Sequence, residues 1–423
     1  MPRSRGVRVA WIAVLVLSLA FVAMVIVFTP WDPLPGADIE RAPIDEFFTD
    51  AQVSRSNDFF DLVKWASWAN LLLGLGTAVV LGFTPMGRRL VDAVRRRVRR
   101  WWLQVIVLSL VVLLIARLVT LPGSIWIQHV SQDYGLSTQT WSAWLIDVAK
   151  SWSIYAAIIT IALLALIGLA RRFTRTWFVP ASIGAAVLVV ALSFAYPVVI
   201  EPAFNEFTPL SDGPLRTDIL DLAERSDVEV SDVLVADASR RTTALNAYVS
   251  GFGASKRIVI YDNLLESASD REVELVVAHE LGHASTDDVL VGTFEGAIAA
   301  ALAVVALFLV LRPELLRKPT GAGSVGDPAI VPAVLGVVVI VGFLASPIQN
   351  GLSRQVEARA DAHSLDLTDD PETFIAIQQR LATTNLSHLE PNPILSFWFN
   401  SHPPTLDRIG MALAWEQLHG GAP

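Results

Sequence analysis

Seven long apolar runs constrain this chain more than any other feature. Val9 to Phe28 is 20 residues broken only by Ser18, about 30 Å as a helix and so enough to cross a hydrocarbon core. Comparable runs follow at Trp65 to Phe83, Trp101 to Leu121, Tyr155 to Ala170, Trp177 to Ile200, Val289 to Val310 and Ile330 to Ile348. Lipid offers backbone amides no partner, so each run is expected to be a helix. Arg3, Arg5 and Arg8 ahead of the first run would suit a cleaved signal peptide. The run is long, however, and no small-residue cleavage site follows it, so it reads as an anchor. Composition agrees, with 53% hydrophobic and 17% charged residues in a chain of 423, unlike an ordinary soluble protein. A net charge of −9 argues against nucleic acid as a partner. Without cysteine, disulfides and thiolate ligands are excluded, which leaves histidine and carboxylates to bind any metal.

Arginine marks alternate loops: Arg3, Arg5 and Arg8; Arg88, Arg89, Arg95, Arg96, Arg97, Arg99 and Arg100; Arg171, Arg172 and Arg175; then Arg312, Arg317 and Lys318. If that side is cytoplasmic, the acidic loop Trp31 to Asp61, the loop around Trp126, Trp141 and Trp144, and the region of His279 to His283 all face outward. Trp101, Trp102, Trp126, Trp152 and Trp177 are placed to form interfacial belts. Arg117 and Glu295 fall within spans and are costly in lipid, so Arg117 is expected to snorkel and Glu295 to face protein or water.

Between the fifth and sixth runs the composition turns soluble and carries His279-Glu280-Leu281-Gly282-His283. Two of only 7 histidines thus stand four residues apart, on one helical face, where both imidazoles can reach one tetrahedral zinc ion. Glu280 lies on the shoulder of that face, where a carboxylate can serve as general base. Glu272, Leu275, Val276 and His279 keep a helical period, with Asp270 as the expected N-cap. Gly282 leaves room for another backbone or a substrate to come close. An extended HExxHxxGxxH site is ruled out by Thr286 and Val289, so the third ligand comes from afar. Ser353 to Asp361 reads as a helix on which Glu357 and Asp361 share a face. Glu357 is the expected third ligand and Asp361 the carboxylate that orients an imidazole. His363 would point away from that face.

Around the motif, Thr208 to Gly213 has loop chemistry, and Leu215, Ile219, Leu222 and Ala223 form a short amphipathic helix. Val233 to Val235, Arg257 to Tyr261 and Asn246 to Val249 read as strands of a small sheet, whose exposed edge could pair with a peptide. Asp369 or Asp370 with Pro371 opens a further helix. His402 precedes Pro403-Pro404 at the start of a last helix and reads equally as a cap or as a catalytic group.

Five segments together resemble the type I CAAX prenyl proteases and their bacterial relatives, polytopic zinc metallopeptidases: "FNEFTPLSDGPLR", "DASRRTTALNAYVSGFGASKRIVIYDNLL", "VVAHELGH", "SRQVEARAD" and "SHPPTLDRI". The resemblance implies one Zn2+ on His279, His283 and Glu357, with Glu280 as base and Asp361 beside the ligands. It further implies that Asn246, Ala247 and Tyr248 dock substrate, that His402 stabilises the oxyanion and that Arg408 supports the site. The implied fold is mainly α: a seven-span transmembrane helical barrel enclosing a chamber, with a zincin-like domain and a small β-sheet. The implied function is a membrane-embedded zinc metalloendopeptidase. Residues 1–200 would form a membrane domain of five spans. Residues 201–423 would form the peptidase domain, including spans at 289–310 and 330–348. Relatives that cut prenylated tails act on the cytosolic side, whereas the arginines here put the site outside. A membrane or secreted protein or peptide is therefore the expected substrate.

Two rival readings stand beside this one. A site-two-type protease would bury its HExxH in lipid, which Arg271, Glu272, Glu274, Asp287 and Asp288 around the motif disfavour. A transporter or scaffold carrying an inactive peptidase domain would lack the complete ligand and base set found here.

Overall fold

The computed structural model describes residues 5–311 and 320–420; Arg3, Arg312, Arg317 and Lys318 of the arginine pattern lie outside them. Seven helices among the described residues are long and apolar enough to cross a membrane: Gly6–Phe28, Asp50–Phe83, Trp101–Asp133, Trp141–Arg172, Phe178–Phe204, Asp288–Val310 and Pro328–Thr368. Most outrun the apolar stretch that marks them. The second starts at Asp50 behind a Thr49–Gln52 capping box and buries Ser56 against the chain at Ser387. The expected acidic loop Trp31 to Asp61 therefore ends in helix, after a short helical turn at Ile44–Phe47. Trp126 lies within the third helix and Trp141 and Trp144 open the fourth, so that loop too is shorter than expected. Trp126 Nε1 donates to Leu62 O at 2.8 Å. Trp177 is no belt residue, being buried in an edge contact with Phe308.

The spans pack in the order first, sixth, fifth, fourth, third, second, seventh, which makes a helical barrel. Apolar side chains such as Leu15, Ile161, Ile183 and Leu344 stay exposed on it, as expected of a surface turned to lipid. One apolar core, with Val91, Leu108, Ile167, Trp177 and Ile330, fills one end. At that end Arg171 Nη1 donates to Gly326 O at 3.2 Å and Arg95 pairs with Asp327. Gly321 sits against Arg88, and Gly6 against the carbonyl of Arg175. The described arginine loops thus gather at one end. The seventh span leaves this end at Val331 and runs unbroken through Pro347 to Thr368. At 1.5 Å per residue, Glu357 lies roughly 40 Å further along it, beyond the thickness of a hydrocarbon core.

At the far end a second core, built on Ile219, Val233, Ile258, Ile260, Leu275 and Phe374, carries a four-stranded sheet of order β1-β2-β4-β3. β1 (Phe207–Pro209) pairs antiparallel with β2 (Asp232–Ala236), β2 pairs parallel with β4 (Arg257–Tyr261), and β3 (Ala247–Ser250) pairs antiparallel with β4. β1 corrects the loop expected at Thr208-Pro209. Proline is tolerated there because β1 is an edge strand. The helix expected around Ile219 spans Pro214–Arg225. Glu201, buried at the end of the fifth span, accepts from Ser250 Oγ at 2.8 Å and pairs with Arg257 at 3.1 Å. The sheet is thereby tied to the barrel.

Candidate active site

The motif lies on helix Asp270–Ser285, outside the seven spans and packed on the sheet. Its N-cap is Ser269 rather than the expected Asp270. The Ser269 side chain accepts from Glu272 N, and the Glu272 carboxylate reaches back to the Ser269 N–H at 2.8 Å. Serine at this place followed by Glu at the third helical position is a capping box, which the nearer Asp270 obscured. Glu272 is buried, yet its carboxyl is held below the usual range. Burial would raise it, but Arg380 at 2.8 Å and the Ser269 hydrogen bonds outweigh that.

Gly282 faces the long seventh helix. A Cβ there would stand 3.0 Å from Ala360 Cα and 3.1 Å from His363 Cβ, so the approaching backbone is that of the carboxylate helix. This crossing sets Glu357 beneath the imidazoles. One ligand atom each from His279, His283 and Glu357 lies within 4.8 Å of the others. His279 Nε2 is 3.3 Å from Glu357 Oε2, and His283 Nε2 is 3.7 Å from Glu357 Oε1. Glu357 Oε2 is buried without a hydrogen-bond partner, a costly state for a carboxylate unless a cation meets it. Two imidazoles and one carboxylate are also the donor set of a His2Glu metal site. The residues fit a divalent metal. His363 instead meets Ser226 Oγ at 3.2 Å.

Carboxylates hold the outer nitrogens of both imidazoles. Asp361, fully buried, lies 2.9 Å from His279 Nδ1 and accepts from Arg408 Nε at 2.8 Å. Asp288 lies 2.9 Å from His283 Nδ1 and is paired with Arg359. Burial alone would push both imidazoles down, but these bonds and the nearby Glu357 carboxylate outweigh it. His279 is raised, and His283 is raised to about 10, which marks a pocket that favours positive charge. Burial raises the Glu280 carboxyl beside them, toward the range suited to a proton shuttle near neutrality.

His402 does not cap the last helix, which runs Thr405–His419 with Pro404 at its N-cap and no side-chain cap bond. Its Nε2 lies 3.3 Å from Glu357 Oε1, while Nδ1 meets Ser401 Oγ at 2.9 Å. The loop is held from the carboxylate helix. Arg354 Nη1 donates to Asn400 O at 2.5 Å and to Ser396 O at 3.2 Å, and Asn350 Nδ2 donates to Trp398 O at 2.6 Å. Arg354 was missed in the sequence, though its place one turn before Glu357 on the same face was a usable signal.

β3 is the other edge strand of the sheet and borders the same cleft, of about 450 Å³, that the two histidines, Glu280 and Glu357 line. Asn246, expected within the strand, precedes it, and its carbonyl accepts from Tyr261 N at 3.1 Å. Asn246, Ala247 and Tyr248 all line the cleft. Burial, with Glu201 next, pushes the Tyr248 phenol upward, so it stays a donor. Just ahead, Asn385 holds Leu245 on both sides, by Oδ1 to N at 2.8 Å and Nδ2 to O at 3.2 Å.

A HExxH helix meeting a carboxylate from a distant span, at one end of a seven-helix barrel, defines a multi-pass membrane metallopeptidase. Residues 209–416 match the model of peptidase family M48, and residues 44–206 match that of the CAAX prenyl protease N-terminal family, described as five membrane helices. The chain belongs to family M48. It is 33% identical over 332 residues to the uncharacterized metalloprotease YhfN of Bacillus subtilis, covering 76% of this chain and 78% of that one. It is also 33% identical over 225 residues to a CAAX prenyl protease 1 homolog of Oryza sativa, a match spanning 52% of each chain. The crystal structure of S. mikatae Ste24p superposes with a TM-score of 0.76 at 22% identity, covering 97% of this chain and 100% of that one, which shows the shared fold. With the motif helix outside the spans, an intramembrane site-two-type arrangement is set aside.

Proposed function

We propose that this protein is a zinc metalloendopeptidase that cleaves membrane or secreted proteins or peptides at the extracytoplasmic face of the cell membrane. The observation that carries the reading is the convergence of His279, His283 and Glu357 within 4.8 Å of one another, with a partnerless Glu357 oxygen among them and Glu280 alongside. These three residues would hold the ion. When bound, zinc supplies Lewis acidity, polarising a carbonyl and bringing the pKa of water to about 7.

The chain's own groups do the rest. The free edge of β3, with Asn246, Ala247 and Tyr248, aligns the peptide as an added strand. Glu280 takes the proton of the attacking water and passes it to the leaving amine, so the scissile C–N bond breaks to a carboxylic acid and an amine. His402 donates Nε2–H to the oxygen that gains charge in the transition state. Asp361 with Arg408 fixes the His279 tautomer so that Nε2 faces inward. We read residues 1–200 as the membrane domain of five spans and 201–423 as the peptidase domain, which includes the last two spans.

Support for the outward face comes from the arginine loops, gathered at the barrel end remote from the site. Basic loops are retained on the cytoplasmic side, so a prenylated cytosolic tail, the substrate that the plant relative's name implies, would meet the wrong end. Reporter fusions after Arg100 and after Pro202 test this. The first is expected to be active with a cytoplasmic reporter and the second silent, and the reverse pattern would turn the protein over. For the chemistry, purified protein should carry one zinc per chain and cleave peptides until a chelator removes it. Zinc-free protein, or cleavage indifferent to chelators, would overturn the reading.

A further inference from the structure

We propose that Asp288, clamped by Arg359, is the positioning carboxylate of His283, so that each of the two imidazoles is oriented by its own Asp–Arg pair. The inference rests on the reading of His279, His283 and Glu357 as zinc ligands. The two halves match: His279 Nδ1 stands 2.9 Å from Asp361, which Arg408 holds, and His283 Nδ1 stands 2.9 Å from Asp288, which Arg359 holds. A carboxylate accepting from Nδ1–H leaves the Nε2 lone pair free, and in both rings Nε2 is the nitrogen turned to Glu357.

The route by which Asp288 arrives argues for a specific placement. Only Thr286 and Asp287 separate the motif helix from the sixth span, whose helix Asp288 begins. Asp287 adopts a left-handed φ of 52°, an unfavourable conformation that persists only where surrounding contacts dictate it. Those contacts are present. Lys256 Nζ donates to Ala284 O and to Asp287 Oδ1, each at 2.8 Å. Two consecutive aspartates are thereby parted, Asp287 going to Lys256 and Asp288 to His283.

Arg359 lies between Glu357 and Asp361 on the seventh span. Two positions on a helix differ by about 200°, so Arg359 points away from the face that Glu357 and Asp361 share and reaches the start of the sixth span instead. A single helix thus supplies a ligand, the acid behind one imidazole and the cation behind the acid of the other. The consequence is that the entry of the sixth span is fastened to the orientation of His283.

The test uses the full-length protein and compares wild type, Asp288→Asn, Arg359→Gln and the double variant. Zinc affinity is measured by competition with a chromophoric chelator, and thermal unfolding of the zinc-free protein is followed in parallel. Asparagine keeps the shape and a hydrogen-bond acceptor but not the charge, so a merely structural role would survive the change. Positioning predicts that Asp288→Asn lowers zinc affinity by about 10- to 100-fold at unchanged zinc-free stability. Because Arg359 acts through Asp288, adding Arg359→Gln should cost little further affinity. Wild-type affinity in Asp288→Asn would overturn the inference, as would full additivity of the two changes. A wild-type protein that binds no zinc would instead overturn the underlying reading of the ligands.

Discussion

Replacing Gly282 by Ala probes the helix crossing on which the site depends. The new Cβ would stand 3.0 Å from Ala360 Cα, 3.1 Å from His363 Cβ and 3.3 Å from its Cδ2. Carbon atoms attract best at about 3.5–4.0 Å, so the two helices must part by roughly half an ångström. Ala360 is a backbone position, so no side-chain rotation relieves it. Overpacking of this kind costs about 1–3 kcal/mol, partly offset by the roughly 1 kcal/mol by which alanine is a better helix former than glycine. Global stability should therefore fall by no more than about 2 kcal/mol. Glu357 is less tolerant, because it lies three residues before Ala360 and zinc–oxygen bonds hold to about 0.2 Å. Zinc affinity and kcat should thus fall by about tenfold or more in a protein that still folds. Chelator competition and peptide turnover, read beside the thermal midpoint, provide the assay. Wild-type affinity and turnover in Gly282→Ala would refute the claim that this contact sets the site.

Glu280→Gln should keep its zinc and lose about 10²- to 10⁴-fold in kcat, and a variant of near-normal turnover would remove Glu280 as base. Truncating His402 to Ala should lower kcat by about 10²- to 10³-fold while KM and zinc content hold steady. Equal losses of zinc would show instead that His402 works as a ligand. Ser269→Ala, which removes the capping box, should destabilise the protein by about 0.5–2 kcal/mol in denaturant unfolding without changing zinc affinity. No change in stability would mean that the cap contributes nothing.

Legibility in the sequence followed the strength of local signals. Seven apolar runs and the two histidines at helical spacing stand out, because lipid and a metal each demand a pattern that chance rarely supplies. Span ends did not, since the polar first turns of the Asp50 and Trp141 helices read as loop, whereas side-chain caps at Thr49 and Thr140 start the helices there. β1 was hidden by Pro209, a turn residue that an edge strand happens to accept. Asp361 could be placed from its spacing to Glu357. Asp288 lay in plain view as one of two flanking acids, but only the strained turn at Asp287 reveals which of the pair faces His283. Arg359 escaped for a related reason, as its partner lies far away in the chain and sequence spacing carries no trace of it, whereas Arg354 could have been found from its place one turn before Glu357.

Anomalous scattering at the zinc edge from crystals of the purified protein addresses the ligand set most directly. The account predicts a single peak about 2.0–2.2 Å from one atom each of His279, His283 and Glu357. A protein crystallised with zinc that shows no peak there, or a peak with Glu357 beyond bonding distance, would contradict it.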